Sequence, residues 1–161
     1  MAFYECSSLT QFTIPSSVTL IEKEAFYGCS LTQIIIPSSV TSIGKKAFYG
    51  CSLTEIIIPS SVTSIGKKVF SGCLSLANVT IPSSIQSIEG NPFASCQKLD
   101  KITIFPCDEK RIEYFENKFL AFKTKVNSET YDKIIWVKST INEIIIPTFI
   151  KIIQNNAFCE C

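Results

Sequence analysis

Residues 36–51 read IPSSVTSIGKKAFYGC, and residues 58–73 read IPSSVTSIGKKVFSGC. The two stretches differ only where Ala47 becomes Val69 and Tyr49 becomes Ser71, and they lie 22 residues apart. Self-similarity at such a period identifies a repeat architecture and takes precedence over any local reading. Working outward, the marker proline of the repeat falls at Pro15, Pro37, Pro59 and Pro82, with weaker continuations at Pro106 and Pro147. From every regular proline, and from Pro147, a cysteine lies 14 residues on: Cys29, Cys51, Cys73, Cys96 and Cys161. AFYEC at residues 2–6 is the tail of one more unit. The spacing varies by a residue just after the cysteine, as a surface turn tolerates.

The apolar columns recur in register. One unit supplies Leu31, Ile34, Ile36, Val40, Ile43, Ala47, Phe48 and Cys51; the next supplies Leu53, Ile56, Ile58, Val62, Ile65, Val69, Phe70 and Cys73. Ile34 and Ile36 stand two apart, as on a short strand with one buried face, and the proline that follows ends the strand because it cannot donate to a ladder. VTSIG forms a second extended stretch, and KKAFYGC has room for one helical or 3₁₀ turn. No single unit can bury these faces, so the expected fold is a β-rich solenoid of about 22–23 residues per coil, with short parallel strands and one such turn in each coil. At roughly 1.5–3 kcal/mol per large apolar side chain, the columns supply the main driving force.

The consensus L-x-x-I-x-I-P-x-x-V-x-x-I-G-x-x-A-F-x-x-C resembles the leucine-rich repeat of the BspA-like family. The resemblance covers residues 1–106 and returns over 141–161. It implies a non-enzymatic module that binds other proteins or host matrix, most often at the surface of bacteria and protozoa. A second functional class remains open: an intracellular leucine-rich repeat scaffold that regulates an enzyme such as a protein phosphatase.

Residues 107–140 interrupt the repeat. Ile112, Phe115, Phe119 and Phe122 have helical spacing, whereas RIEYFE, KFLAF and KIIWV read as three strands. Inserts in the resembled family tend to be β-meanders, which favours strands. The solenoid is thus expected over 1–106, the insert over 107–140 and a resumed terminal repeat over 141–161, in one continuous domain.

Composition excludes more than it selects. The 161 residues contain no histidine, which removes the commonest general base and metal ligand and every Ser–His or Cys–His pair. A net charge of +1 gives no global case for nucleic acid. No apolar run is long enough for a transmembrane helix. No cofactor is implied. The N-terminus reads as having no signal peptide, and a column of reduced thiols favours a reducing compartment, against the surface location implied by the family resemblance. Cys159 and Cys161 make only a weak metal motif.

Candidate binding residues come from the outward positions. One column runs Gln33, Glu55, Asn78, Lys101 and continues to Glu143; beside it run Ile35, Ile57, Thr80, Thr103 and Ile145. Ile35 and Ile57 are apolar where the repeat does not require it, which suggests either an interaction patch or strand-forming filler. Asn78-Val79-Thr80 is also a glycosylation sequon. Lys45, Lys46, Lys67 and Lys68, with Lys23 one coil earlier, form a basic patch, able to bind sulfated glycans or acidic partners or simply solvated. Trp136 is a candidate interface aromatic, with packing against a neighbouring coil as the alternative. Both ends of the sequence fall within a repeat, so a homodimer or higher oligomer through the end coils or the insert is expected.

Overall fold

The computed structural model describes residues 2–106, 111–115, 118–125, 129–138, 141, 143–154 and 157–158. The repeat winds into a solenoid whose two extended stretches build two parallel ladders. The second stretch of each coil gives β1 (Leu20–Ile21), β2 (Ser42–Ile43), β4 (Ser64–Ile65) and β6 (Ser87–Ile88), stacked in that order. The first stretch gives β3 (Glu55–Ile57), β5 (Asn78–Pro82) and β7 (Lys101–Phe105), likewise parallel, and a Thr13–Ile35 bridge extends the same pattern over earlier coils. All sixteen column residues named for the two central coils are buried.

The expected helical turn is absent: no helix occurs among the described residues, and KKAFYGC is a string of tight turns. The backbone explains the difference. Lys46 has φ 56° and Gly50 has φ 69°, both in the left-handed region that a helix cannot pass through. The amides then alternate in destination. Ala47, Tyr49 and Cys51 donate three residues back within their own coil, while Lys46, Phe48 and Gly50 donate to Lys67, Val69 and Ser71 of the next coil. The segment is therefore a third inter-coil seam. The six amides from Lys46 to Cys51 are all bonded, at the cost of holding Glu24, Lys46 and Lys68 with φ near 57°. Gly44 serves another need. A Cβ there would lie 2.5 Å from the Lys23 amide nitrogen, so only glycine lets adjacent coils approach at this corner.

Inside, Phe3, Phe26, Phe48, Phe70 and Phe93 stack nearly parallel, with centroid separations of 5.2, 5.3, 5.6 and 5.8 Å. Cys6, Cys29, Cys51, Cys73 and Cys96 form no disulfide, and the last four are buried. Each buried thiol donates to the carbonyl of the phenylalanine one coil earlier: Cys51 to Phe26, Cys73 to Phe48 and Cys96 to Phe70, all at 3.1 Å. The column thus combines a small apolar volume with a donor for a carbonyl that would otherwise have only the Cys amide of its own coil. Burial first, and neighbouring ladder thiols second, push the Cys51 and Cys73 thiols well above their ordinary range.

Three further strands, β8 (Ile112–Phe115), β9 (Phe119–Phe122) and β10 (Lys133–Val137), pair antiparallel in sequence order. Ile112, Phe115, Phe119 and Phe122, which have helical spacing, lie on β8 and β9. Β10 also pairs in parallel with β11 (Ile152–Ile153), the second stretch of the resumed repeat. This sheet buries both faces. Ile112, Leu120, Phe122, Ile135 and Trp136 join the solenoid core, while Phe119, Ala121, Tyr131, Ile134 and Val137 form a second cluster with Ala157. A bulge between Ile134 and Trp136 turns two successive residues, Ile135 and Trp136, to the solenoid side. The Arg111 amide donates to Ser83, and Lys138 Nζ lies 2.6 Å from Asp100 Oδ1, tying the sheet to the coils.

Candidate functional site

Strand alternation decides what the first ladder shows to solvent. Ile34, Ile36, Ile56 and Ile58 point inward, so Ile35 and Ile57 must point out, and they are 82% and 65% exposed. The registers Glu55–Asn78–Lys101 and Ile57–Thr80–Thr103 place the outward residues side by side across β3, β5 and β7. Gln33, Glu55, Asn78, Lys101 and Thr103 are exposed and Thr80 is partly so. Around Ile35 and Ile57 the ladder forms a shallow groove of about 450 Å³, edged by Gln33, Glu55 and Pro59. The face is apolar at its first two outward isoleucines and becomes hydroxylated at Thr80 and Thr103, while its flanking column changes from Glu55 to Lys101.

The continuation expected at Glu143 and Ile145 does not form. Residues 143–147 carry no strand, and Ile145 is 84% exposed without a ladder around it. The cause is the insert. Among the described residues of the resumed repeat, the second stretch forms a strand captured by β10, the Ala157 carbonyl accepts from the Val137 amide, and the first ladder ends at β7. Trp136 is also corrected as an interface aromatic. It is only 5% exposed and packs 6.1 Å from the Tyr114 ring, so its surface is already covered.

The basic patch lies on the turn seam rather than on the strand face. Lys45 is exposed, while Lys46, Lys67 and Lys68 keep part of their stems covered. Lys46 is engaged within the chain: its Nζ lies 3.9 Å from Glu24 Oε1 and 5.5 and 5.4 Å from the ring centroids of Tyr27 and Tyr49. Those rings belong to a feature that the sequence reading passed over. Tyr4, Tyr27 and Tyr49 stack at 4.8 Å with interplanar angles of 8° and 4°. The signal was present, since each tyrosine stands two residues before a ladder cysteine.

Among the described residues no three His, Cys, Asp or Glu side chains are grouped as metal ligands. Cys107 and the Cys159-Glu160-Cys161 stretch lie outside the described residues. Among the described residues no helix is long and apolar enough to cross a membrane.

The repeated coil, its two parallel ladders and its cysteine column coincide with a family model described as the BspA type leucine rich repeat region, which matches six copies over residues 1–127. The chain belongs to the BspA-type leucine-rich repeat family. Among solved structures, a leucine-rich repeat protein from Bacteroides ovatus is 42% identical, with a TM-score of 0.61, over 63% of this chain and 27% of that one. The Treponema pallidum leucine-rich repeat protein is 32% identical, with a TM-score of 0.56, over 65% of this chain and 60% of that one. A Eubacterium ventriosum leucine-rich repeat protein aligns across 94% of this BspA-type chain and 42% of its own length, at 28% identity and a TM-score of 0.57. The chain therefore spans between about a quarter and three fifths of the solved proteins it resembles. No curated protein matches it.

Proposed function

We propose that this BspA-type solenoid is a non-enzymatic protein-binding module that uses its first strand ladder to hold a protein partner at a cell surface, in adhesion or matrix binding. The observation that carries the reading is the pair of outward isoleucines, Ile35 and Ile57, 82% and 65% exposed on adjacent coils of a rigid ladder. Contiguous apolar surface on a preformed scaffold favours association because little order must be gained on binding. The polar rim of Gln33, Glu55, Asn78 and Lys101 supplies orientation around that centre. The free thiols no longer favour an intracellular scaffold. Cys29, Cys51, Cys73 and Cys96 each donate to a carbonyl and are buried, so these four thiols are shielded in either redox compartment.

The test is binding to an immobilised panel of deglycosylated extracellular-matrix proteins. The parent chain is expected to bind at least one of them. The double variant Ile35→Glu/Ile57→Glu is expected to lose about tenfold or more in affinity while its circular dichroism stays unchanged. Equal binding by parent and variant, or no binding by the parent to any member of the panel, contradicts the reading.

A further inference from the structure

The inserted sheet meets the resumed repeat at a hollow that shares no residue with the strand-face groove. The repeat writes Ile-Pro-Ser-Ser at residues 14–17, 36–39, 58–61 and 81–84, but Ile-Pro-Thr-Phe at 146–149. In two regular coils the second serine ties its coil to the one before: Ser39 and Ser61 donate to the Val18 and Val40 carbonyls at 2.7 and 2.8 Å. Phe149 stands at that position in the resumed coil, and a phenyl ring has no donor. Its ring instead lies 6.1 Å from that of Phe115, tilted by 43°. Phe115 in turn meets Tyr131 edge-on at 5.4 Å and 78°, and Phe119 stacks on it at 5.1 Å. Phe115, Tyr131 and Phe149, set at these angles, enclose a hollow of about 200 Å³. The rest of its lining is Glu113, Glu129 and Thr130. Both glutamates are exposed, and among the described residues neither forms an ion pair. The Tyr131 hydroxyl donates to Glu113, which holds that carboxylate at the mouth. Burial first, and the Glu113 charge second, push the Tyr131 phenol up to about 12, so it remains a neutral donor.

We infer that this hollow receives a lysine or arginine side chain of a protein partner. Aromatic faces attract a cation through the ring quadrupole, and three rings converge here. Tyr131 already shows the interaction within the chain: Lys123 Nζ lies 4.9 Å from its centroid, yet Lys123 is not part of the lining of the hollow. The two carboxylates at the mouth add opposite charge for an incoming cation. They repel an anion, and an uncharged apolar group would strip water from them with nothing in return. A second hollow favours a peptide over a free ammonium ion. It shares Glu113 and Tyr131 with the first, measures about 220 Å³, and is otherwise lined by Ser83, Ile104, Pro106 and Ile112. A peptide can seat its cation among the rings and a neighbouring apolar side chain against Ile104 and Ile112, whereas a small ammonium ion fills one hollow alone. The site lies on other elements than Ile35 and Ile57 and stands without the strand-face reading.

The test follows the ring signals of Phe115, Tyr131 and Phe149 in the full chain by nuclear magnetic resonance as a blocked peptide, acetyl-Ser-Leu-Ser-Arg-Ser-amide, is added. Comparators carry lysine, citrulline or glutamate in place of the arginine, or serine in place of the leucine, and tetramethylammonium chloride forms a separate arm. The arginine and lysine peptides are expected to shift the three rings saturably. The citrulline peptide, of the same shape without the charge, is expected to bind at least about fivefold more weakly, and the glutamate peptide more weakly still. Loss of the leucine is expected to weaken binding by about fivefold. Glu113→Gln/Glu129→Gln is expected to lose about fivefold or more in affinity for the arginine peptide. Phe149→Ser, which restores the residue of the regular coils, is expected to lose about tenfold. The glutamine variant alters only exposed side chains, so it decides the matter even if Phe149→Ser lowers stability. Ile35→Glu/Ile57→Glu is expected to bind the peptide unaltered, which separates this inference from the strand-face reading. Absence of saturable shifts, equal binding of the arginine and citrulline peptides, tetramethylammonium binding as tightly as the peptides, or undiminished binding by Glu113→Gln/Glu129→Gln overturns it.

Discussion

The coil stack and the inserted sheet bury side chains by different rules. In the stack, one packing solution is repeated: successive rings from Phe3 to Phe93 lie within 10° of parallel, those of Phe26, Phe48 and Phe70 within 2°, and each apolar column meets its own copy above and below. In the insert every contact is singular. Tyr114 meets Trp136 at 45°, Phe115 meets Tyr131 edge-on at 78°, and the strands must satisfy two different clusters, one on each face. Translation of one unit makes the stack legible from a few columns, whereas the insert depends on pairings between residues far apart with no internal template.

That contrast predicts unequal costs for equivalent truncations. Phe48→Ala removes a fully buried ring held between two others and is expected to destabilise by about 3–5 kcal/mol in urea titration. Phe115→Ala removes a half-buried ring and is expected to cost about 1.5 kcal/mol. Equal losses would show that the stack has no packing advantage over the insert.

The burial pattern from Leu31 to Cys51, and again from Leu53 to Cys73, was readable because period and phase were both present twice. Three features were not. The turn seam relies on left-handed backbone at Glu24, Lys46 and Lys68, residues whose side chains carry no hint of it. The loss of the ladder at Ile145 follows from β10 capturing β11, a long-range pairing invisible in the local motif. Trp136 looked available because aromatic residues in an irregular segment resemble anchors, yet a bulge turns it into the solenoid core. Of the candidate site, the alternation that exposes Ile35 and Ile57 was legible, while the tyrosine ladder beside Lys46 was overlooked despite its regular place.

A smaller effect sharpens the role of the seam. Gly44→Ala would put a Cβ against the backbone of the preceding coil, 2.5 Å from the Lys23 nitrogen, and is expected to cost about 1–3 kcal/mol. Gly50→Ala meets nothing closer than 4.0 Å and loses only the left-handed preference of glycine, about 1 kcal/mol. The reverse order would show that coil contact at Gly44 does not limit the spacing.

The thiol ladder gives the mildest test. Because burial raises Cys51 and Cys73 above their ordinary value of 9.0, the folded chain holds those protons more tightly than the unfolded one. Their contribution is complete below about pH 9 and declines as pH rises beyond it, so the melting temperature is expected to fall on the alkaline side. Cys51→Ala/Cys73→Ala is expected to flatten that fall. At neutral pH a bulky thiol reagent is expected to label the exposed Cys6 and leave Cys29, Cys51, Cys73 and Cys96 unmodified in the native state.

Native-state hydrogen exchange addresses the central contrast most directly. If repeated stacking is what holds the molecule together, the seam amides of Phe48 and Gly50 and the corner amide of Gly66, each bonded to a neighbouring coil, should exchange slowest and at one common opening free energy. The strands Phe119–Phe122 and Lys133–Val137 should open at a lower one. Exchange in which those two strands outlast the central coils would contradict the account.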